Sequence, residues 1–185
     1  MTCGKIDLEC TKCRLSVGRT HVVPGRGLCG SKIVFVGEAP GRDEDRAGMP
    51  FVGRAGKVLD AALEKSGTSR DRVYITNIVK CRPPGNRRPK EDEAMTCSEY
   101  LFSELEKIKP SVICILGRTA ASLLLSEKSK MSSLERKEYE MVVAGRRARV
   151  FVTYHPAACL YQRRHLVSFQ RRVNESIDAA RIKQP

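Results

Sequence analysis

Four short apolar runs, residues 32–36, 73–78, 112–116 and 150–153, punctuate the chain and constrain its fold more than any other feature. Each is rich in Val and Ile, too short for a stable helix, and too uniformly apolar for a strand with one wet face. Fully buried parallel strands look like this in sequence. Between the runs, the apolar spacing becomes helical. Residues 55–65 place Val58, Leu59, Ala62 and Leu63 on one face and stop near Gly67. Residues 90–109 align Ala94, Cys97, Leu101, Leu105 and Ile108 and end before Pro110. A shorter helix is expected over 119–125. Residues 138–143 are expected to pair with the fourth strand across a turn at Gly145, and a closing helix over 166–182 repeats Leu166, Phe169, Val173 and Ile177. Strands alternating with helices predict an α/β fold: a single three-layer α/β/α domain over residues 1–185, with a central, mostly parallel four-stranded sheet. Residues 17–30 and 126–137 are expected to be the least ordered.

Composition narrows the function. The chain carries 34 Lys and Arg against 21 Asp and Glu, a net charge of +13 in 185 residues. That surplus favours a polyanionic partner, nucleic acid ahead of an anionic membrane, because no single cationic amphipathic helix collects the basic residues. The plain alternative is a basic, well-solvated surface. No run approaches the roughly 20 apolar residues that cross a bilayer, and the N-terminal residues do not read as a secretion signal. The expectation is therefore a soluble, cytoplasmic protein. In that compartment eight cysteines argue for metal ligands or ordinary buried thiols rather than a disulfide framework.

Open parallel sheets bind ligands beyond the carboxyl ends of their strands. The first strand runs into Gly37-Glu38-Ala39-Pro40-Gly41, the second ends on Thr76-Asn77, the third at Gly117, and the fourth at Tyr154-His155-Pro156. Taken singly, Glu38 reads as a solvated acid in a turn, Asn77 as a turn former and His155 as structural. Three polar residues at equivalent strand ends make a pocket. Phe51, in the glycine-bracketed loop Gly48-Met49-Pro50-Phe51-Val52-Gly53, is either a core plug or a stacking platform for a planar ligand.

These segments resemble the motifs of the family 4 uracil-DNA glycosylases. Gly37-Glu38-Ala39-Pro40-Gly41, the acidic stretch Asp43-Glu44-Asp45, and Pro50-Phe51-Val52-Gly53-Arg54-Ala55-Gly56 look like the first motif. The long run Ile75-Thr76-Asn77-Ile78-Val79-Lys80-Cys81-Arg82-Pro83-Pro84-Gly85-Asn86-Arg87-Arg88-Pro89 resembles the second, and His155-Pro156-Ala157-Ala158 the third. The resemblance implies a monomeric base-excision-repair enzyme that hydrolyses the N-glycosidic bond of uracil in DNA. Phe51 would stack on the flipped base. The Asn77 carboxamide would read its Watson–Crick edge, and His155 would donate to uracil O2 as charge develops there. The backbone of Gly37, Glu38 and Ala39 would complete the cradle. Better-known uracil glycosylases have a water-positioning Asp where this chain has Ala39. Either Glu38, the favoured candidate, or an acid from Asp43-Glu44-Asp45 must then orient water, or stabilisation of the leaving group carries the rate. Glu44 is also a candidate for crowding C5 against thymine's methyl.

Cys10-Thr11-Lys12-Cys13 is a C-x-x-C pair, Cys81 falls inside the second motif, and Cys97 lies on the following helix. Four thiolates suit tetrahedral zinc or an iron–sulfur cluster, and spacing does not choose. The resemblance selects a structural [4Fe–4S] cluster at these four positions. Cys3, Cys29, Cys114 and Cys159 have no place in that pattern, and Cys114 reads as core. For phosphate contacts the candidates are Lys80, Arg82, Arg87, Arg88, Arg163 and Arg164. Residues 159–164 stand where related enzymes wedge the duplex, with Arg163 the guess for the vacated stack; Arg171 and Arg172 read as a solvated face.

Three rivals remain. A non-catalytic, metal-stabilised nucleic-acid-binding module would not need Asn77 and His155 at matching strand ends. A phosphate cradle at residues 37–41 lacks both Gly-rich signatures and carries a repelling Glu38. The related branch that becomes trapped on abasic DNA uses a His-bearing insertion, and residues 81–89 contain no His.

Overall fold

The computed structural model describes residues 2–181. Its six-stranded sheet has the order β1-β3-β2-β4-β6-β5, where β1 is Arg26–Gly27, β2 Ile33–Gly37, β3 Tyr74–Asn77, β4 Val112–Leu116, β5 Glu138–Val143 and β6 Arg146–Thr153. The four inner strands β3, β2, β4 and β6 are mutually parallel, and β1 and β5 add antiparallel edges. The four expected strands are all present, and the sheet is wider than four by its two edges. The two-residue β1 is too short to show a period. As expected, β5 pairs with β6 through a turn in which Ala144 and Gly145 adopt positive φ.

Alternate residues of the inner strands feed two cores, as the two-residue period of a strand requires. On one face Val34, Val36, Tyr74, Ile113, Ile115, Val150 and Val152 pack with Leu101, Leu105 and Ile108 of α3 (Glu91–Ile108) and Ala120 and Ala121 of α4 (Arg118–Leu125). On the other, Ile33, Phe35, Ile75, Cys114, Leu116 and Phe151 meet Leu59 and Leu63 of α2 (Arg54–Lys65) and Phe169, Val173 and Ile177 of α7 (Arg163–Arg181). This is the three-layer α/β/α arrangement. The expected last residue of α7, Ile182, lies outside the described residues. The remaining helices are short: α1 Arg42–Ala47, α5 Met131–Leu134 and α6 Pro156–Cys159.

Two segments expected to be poorly ordered are anchored. Val22, Val23, Pro24 and Gly25 are buried within 17–30, and Leu134 is buried within 126–137. Arg172 is not on a solvated face. It is buried over the Phe151 ring, its guanidinium carbon 4.7 Å from the ring centroid, and bonds Glu175 and the carbonyl of Lys137. Nor is the chain free of disulfides: Cys3 and Cys29 are bridged, with Cα atoms 5.7 Å apart, inside the usual window for such a bond. The N-terminal segment is thereby stapled to the loop before β2. No helix among the described residues is long and apolar enough to cross a membrane.

Candidate active site

Because β2, β3 and β6 run parallel, their carboxyl ends share one edge of the sheet. Gly37 of β2 registers with Asn77 of β3, and β6 leads through Thr153 and Tyr154 into His155. A cleft of about 300 Å³ opens there, lined by Glu38, Ala39, Glu44, Phe51, Asn77, Arg87 and His155 among others.

Asn77 closes β3 and is 2% exposed, and its side-chain Oδ1 is buried with no hydrogen-bond partner. A carboxamide oxygen left unpaired in a buried place costs free energy unless a ligand satisfies it. Phe51 is buried and held at φ 53°, a left-handed conformation that a non-glycine residue adopts only under constraint. Two neighbours impose it. Arg70 donates from Nη2 to the Phe51 carbonyl at 2.7 Å and is itself anchored to Asp60 at 2.8 Å. Gly56, on the first turn of α2, lies so close that a Cβ there would overlap that carbonyl. The Phe51 and His155 rings are 5.9 Å apart with planes 33° from parallel.

His155 caps α6: its Nδ1 accepts from the Ala157 N–H at 3.2 Å. A ring nitrogen that accepts carries no proton, so the neutral ring is protonated on Nε2. Burial depresses its pKa to about 4, against a smaller opposing pull from Glu44. The imidazole is a neutral N–H donor at ordinary pH. Gly117, at φ 102°, passes so close that a Cβ there would sit 3.0 Å from the His155 Cβ.

The acids separate by what already occupies them. Glu44 accepts from the backbone N–H groups of Gly41, Val52 and Gly53 at 3.1, 3.0 and 2.8 Å, which pins the Phe51 loop to the start of α1. Asp45 is buried and accepts from Thr20 and His21. Asp43 is exposed and close to Arg42. Glu38 is the acid left facing the cleft. Burial raises its pKa above 4.5, a hydrogen bond from Thr119 and the charge of Arg88 opposing.

Two expected phosphate contacts are already paired within the protein, Lys80 in the core and Arg87 at the cleft wall. Lys80 is 1% exposed and pairs with buried Glu104 at 2.8 Å, so it does not reach DNA. Arg87 makes a two-pronged pair with Glu93 at 2.6 and 2.8 Å, bracing the first turn of α3. Arg88, Arg163 and Arg164 are exposed, and Arg82 is partly buried with its Nε bonded to Asn86. The connection from α6 to α7 also presents Leu160 and Tyr161, the latter 78% exposed. Thr119, Arg70 and Gly56 were not anticipated. Gly56 stands in the first motif without a role assigned to it, and no local pattern signals Thr119 or Arg70, since each acts on a residue from another element.

Cys10, Cys13, Cys81 and Cys97 line a single small cavity between the N-terminal segment, the β3 exit and α3. Burial pushes the Cys81 thiol up to about 12 and that of Cys97 to about 11, with the neighbouring quartet cysteines adding to both. Four soft donors facing one enclosed space fit a thiolate-bound metal group, whose positive charge would reverse those shifts. Among the described residues no three His, Cys, Asp or Glu side chains gather tightly enough to hold one metal ion.

Residues 24–178 match the uracil DNA glycosylase superfamily. The chain is 48% identical to a type-4 uracil-DNA glycosylase of Archaeoglobus fulgidus over 84% of its own length and 80% of that protein. The type-4 enzyme of Saccharolobus solfataricus is 45% identical over 94% of this chain and 84% of its own, and that of Thermotoga maritima 42% identical over 94% and 88%. With that superfamily match across most of its length and these type-4 relatives, the chain belongs to the uracil DNA glycosylase superfamily, in its type-4 branch.

Proposed function

We propose that this protein hydrolyses the N-glycosidic bond of uracil in DNA, releasing the free base and leaving an abasic site, as a monomer. The observation that carries the reading is the convergence of Asn77, His155 and Phe51 on one cleft, with the Asn77 Oδ1 buried and unpaired. A nucleotide turned out of the duplex brings its planar base against Phe51. The Asn77 carboxamide then accepts from uracil N3–H and donates to O4, a pairing that cytosine, lacking that N–H, does not offer. As the bond from C1′ to N1 breaks, its electron pair passes to the base and spreads onto O2, where the His155 Nε2–H donates. Water attacks C1′ and gives a proton to Glu38, the cleft acid not committed to backbone N–H groups. Glu44 acts by fixing the Phe51 loop. Cys10, Cys13, Cys81 and Cys97 hold a [4Fe–4S] cluster, which supplies a cross-link between the N-terminal segment, the β3 exit and α3. Arg82, Arg88, Arg163 and Arg164 contact phosphates.

Incubation with a uracil-containing duplex, followed by alkali, should cut the strand at the uracil. Anaerobically purified protein should be brown, with about four irons per chain. DNA binding without strand scission would replace this reading with a non-catalytic nucleic-acid-binding module. For the water step, wild-type activity should fall with acid as Glu38 gains a proton, at a pH above 4.5. In Glu38→Gln the rate should be lower and that limb absent down to the region near pH 4 where His155 protonates. A limb that persists in Glu38→Gln assigns the base elsewhere. Arg88→Ala should weaken binding alike for uracil-containing and ordinary duplexes and reduce the salt slope by about one.

A further inference from the structure

Between the cysteine quartet and the base cleft lies one residue, Lys80, that is bonded to a member of each. Lys80 donates its backbone N–H to the Sγ of Cys97 at 3.3 Å, and its ammonium donates to the Asn77 carbonyl at 2.8 Å, Thr76 Oγ1 at 2.6 Å and Glu104 Oε2 at 2.8 Å. All three ammonium donors are used. Glu104 is equally saturated: it accepts from Thr76 Oγ1 at 2.7 Å, Tyr74 Oη at 3.3 Å and the Gly25 N–H at 2.8 Å, besides Lys80. Cys97 and Glu104 are seven residues apart, two turns on one face of α3. Lys80 is therefore clamped to α3 at two points, and its tip grips the main chain of Asn77.

A buried ion pair is a poor way to add stability, because desolvation offsets most of the attraction. What such a pair supplies is fixed geometry, and here the fixed group is the peptide of Asn77. The Asn77 side chain must meet a base edge with both polar ends, and a misplacement of about 1 Å can cost roughly a hundredfold in rate. Pairing with β2 holds that peptide through its N–H, which Ile78 donates to the Gly37 carbonyl at 3.0 Å, and Lys80 holds it from the opposite side through the Asn77 carbonyl.

We propose that Lys80 is a positioning residue that aligns Asn77 for base reading by tying its peptide to the Cys97–Glu104 face of α3. The proposal rests on Asn77 reading the base, as in the function proposed above. Its test is a double-mutant cycle on single-turnover excision from uracil DNA. One arm removes the Lys80 tether as the neutral pair Lys80→Met with Glu104→Gln, which leaves no buried charge unpaired. The other removes the reader as Asn77→Ala. Alone, the Lys80/Glu104 variant should lose roughly ten- to a hundredfold in rate; in the Asn77→Ala background the same change should cost almost nothing further. In the DNA-free protein, amide hydrogen exchange over residues 76–81 should accelerate while that of 33–37 stays unchanged, with iron content retained. Multiplicative losses in the cycle, or unaltered exchange at 76–81, overturn the proposal. Should the double variant not accumulate folded, Thr76→Val, which deletes one Lys80 partner with little change of shape, is judged by the same cycle. Wild-type protein that leaves uracil DNA intact refutes the functional reading instead, a result distinct from an additive cycle.

Discussion

Replacing His155 with alanine is expected to slow single-turnover excision of uracil by roughly 10² to 10³, the loss typical of one donor aimed at developing negative charge. Substrate affinity should change far less, because the hydrogen bond to O2 strengthens only as the glycosidic bond breaks. The capping bond from Ala157 fixes the tautomer, and burial keeps the ring neutral to about pH 4. A neutral donor is already in its working form at neutral pH, so the wild-type profile should show no inflection near 6.5 assignable to His155. Nitrogen NMR of the imidazole should report a proton on Nε2. The same depressed pKa has a stability consequence. Between pH 6.5 and about 4 the unfolded chain binds a proton at His155 that the native protein refuses, so stability falls as pH drops through that window. His155→Ala should lack this component. A variant that excises uracil at the wild-type rate would remove His155 from the reaction.

How far the sequence disclosed this arrangement depends on which interactions are local. The inner strands were legible because burial on both faces forces continuous Val and Ile, and residues 112–116 match β4 at both ends. Once those strands are parallel and adjacent, Glu38, Asn77 and His155 must share an edge, and the structure brings them into one cleft. Charged side chains were the opposite case. Lys80 and Arg87 sit in a run that reads as a basic loop, yet each is consumed by a carboxylate on α3, Glu104 or Glu93. The destination of a charge is set by which element packs over it, and no periodicity encodes that. Glu44 illustrates the same limit: its bond from the Gly41 N–H is local to the start of α1, but the Val52 and Gly53 N–H groups claim its carboxylate only after the Phe51 loop has folded back on α1. The Cys3–Cys29 bridge was missed for a related reason. An expectation built on compartment overrode two thiols whose proximity exists only after the N-terminal segment docks.

Gly37→Ala should be nearly as damaging as His155→Ala while leaving the fold intact. Gly37 ends β2 beside Asn77, and a methyl group there would overlap Asn77 Oδ1 and approach Phe51 Cζ to 2.6 Å. Neither neighbour can yield without leaving its working position. Asn77 is held through its peptide by Lys80, and Phe51 is locked at positive φ by Arg70 and Gly56. The methyl therefore fills the space that base recognition requires, and kcat/KM for uracil DNA should fall by roughly 10² or more. Binding to ordinary duplex should survive, because the exposed arginines are untouched. Thermal unfolding should shift down by roughly 2–12 °C, the equivalent of about 1–3 kcal/mol of overpacking, with a cooperative transition retained. Gly30→Ala is the matched control: a Cβ there meets nothing within 4 Å, and its activity should equal that of the wild type. If Gly37→Ala kept full activity, the cleft beside Asn77 would have to be wider than its walls allow, and the base would be read somewhere other than between Asn77 and Phe51.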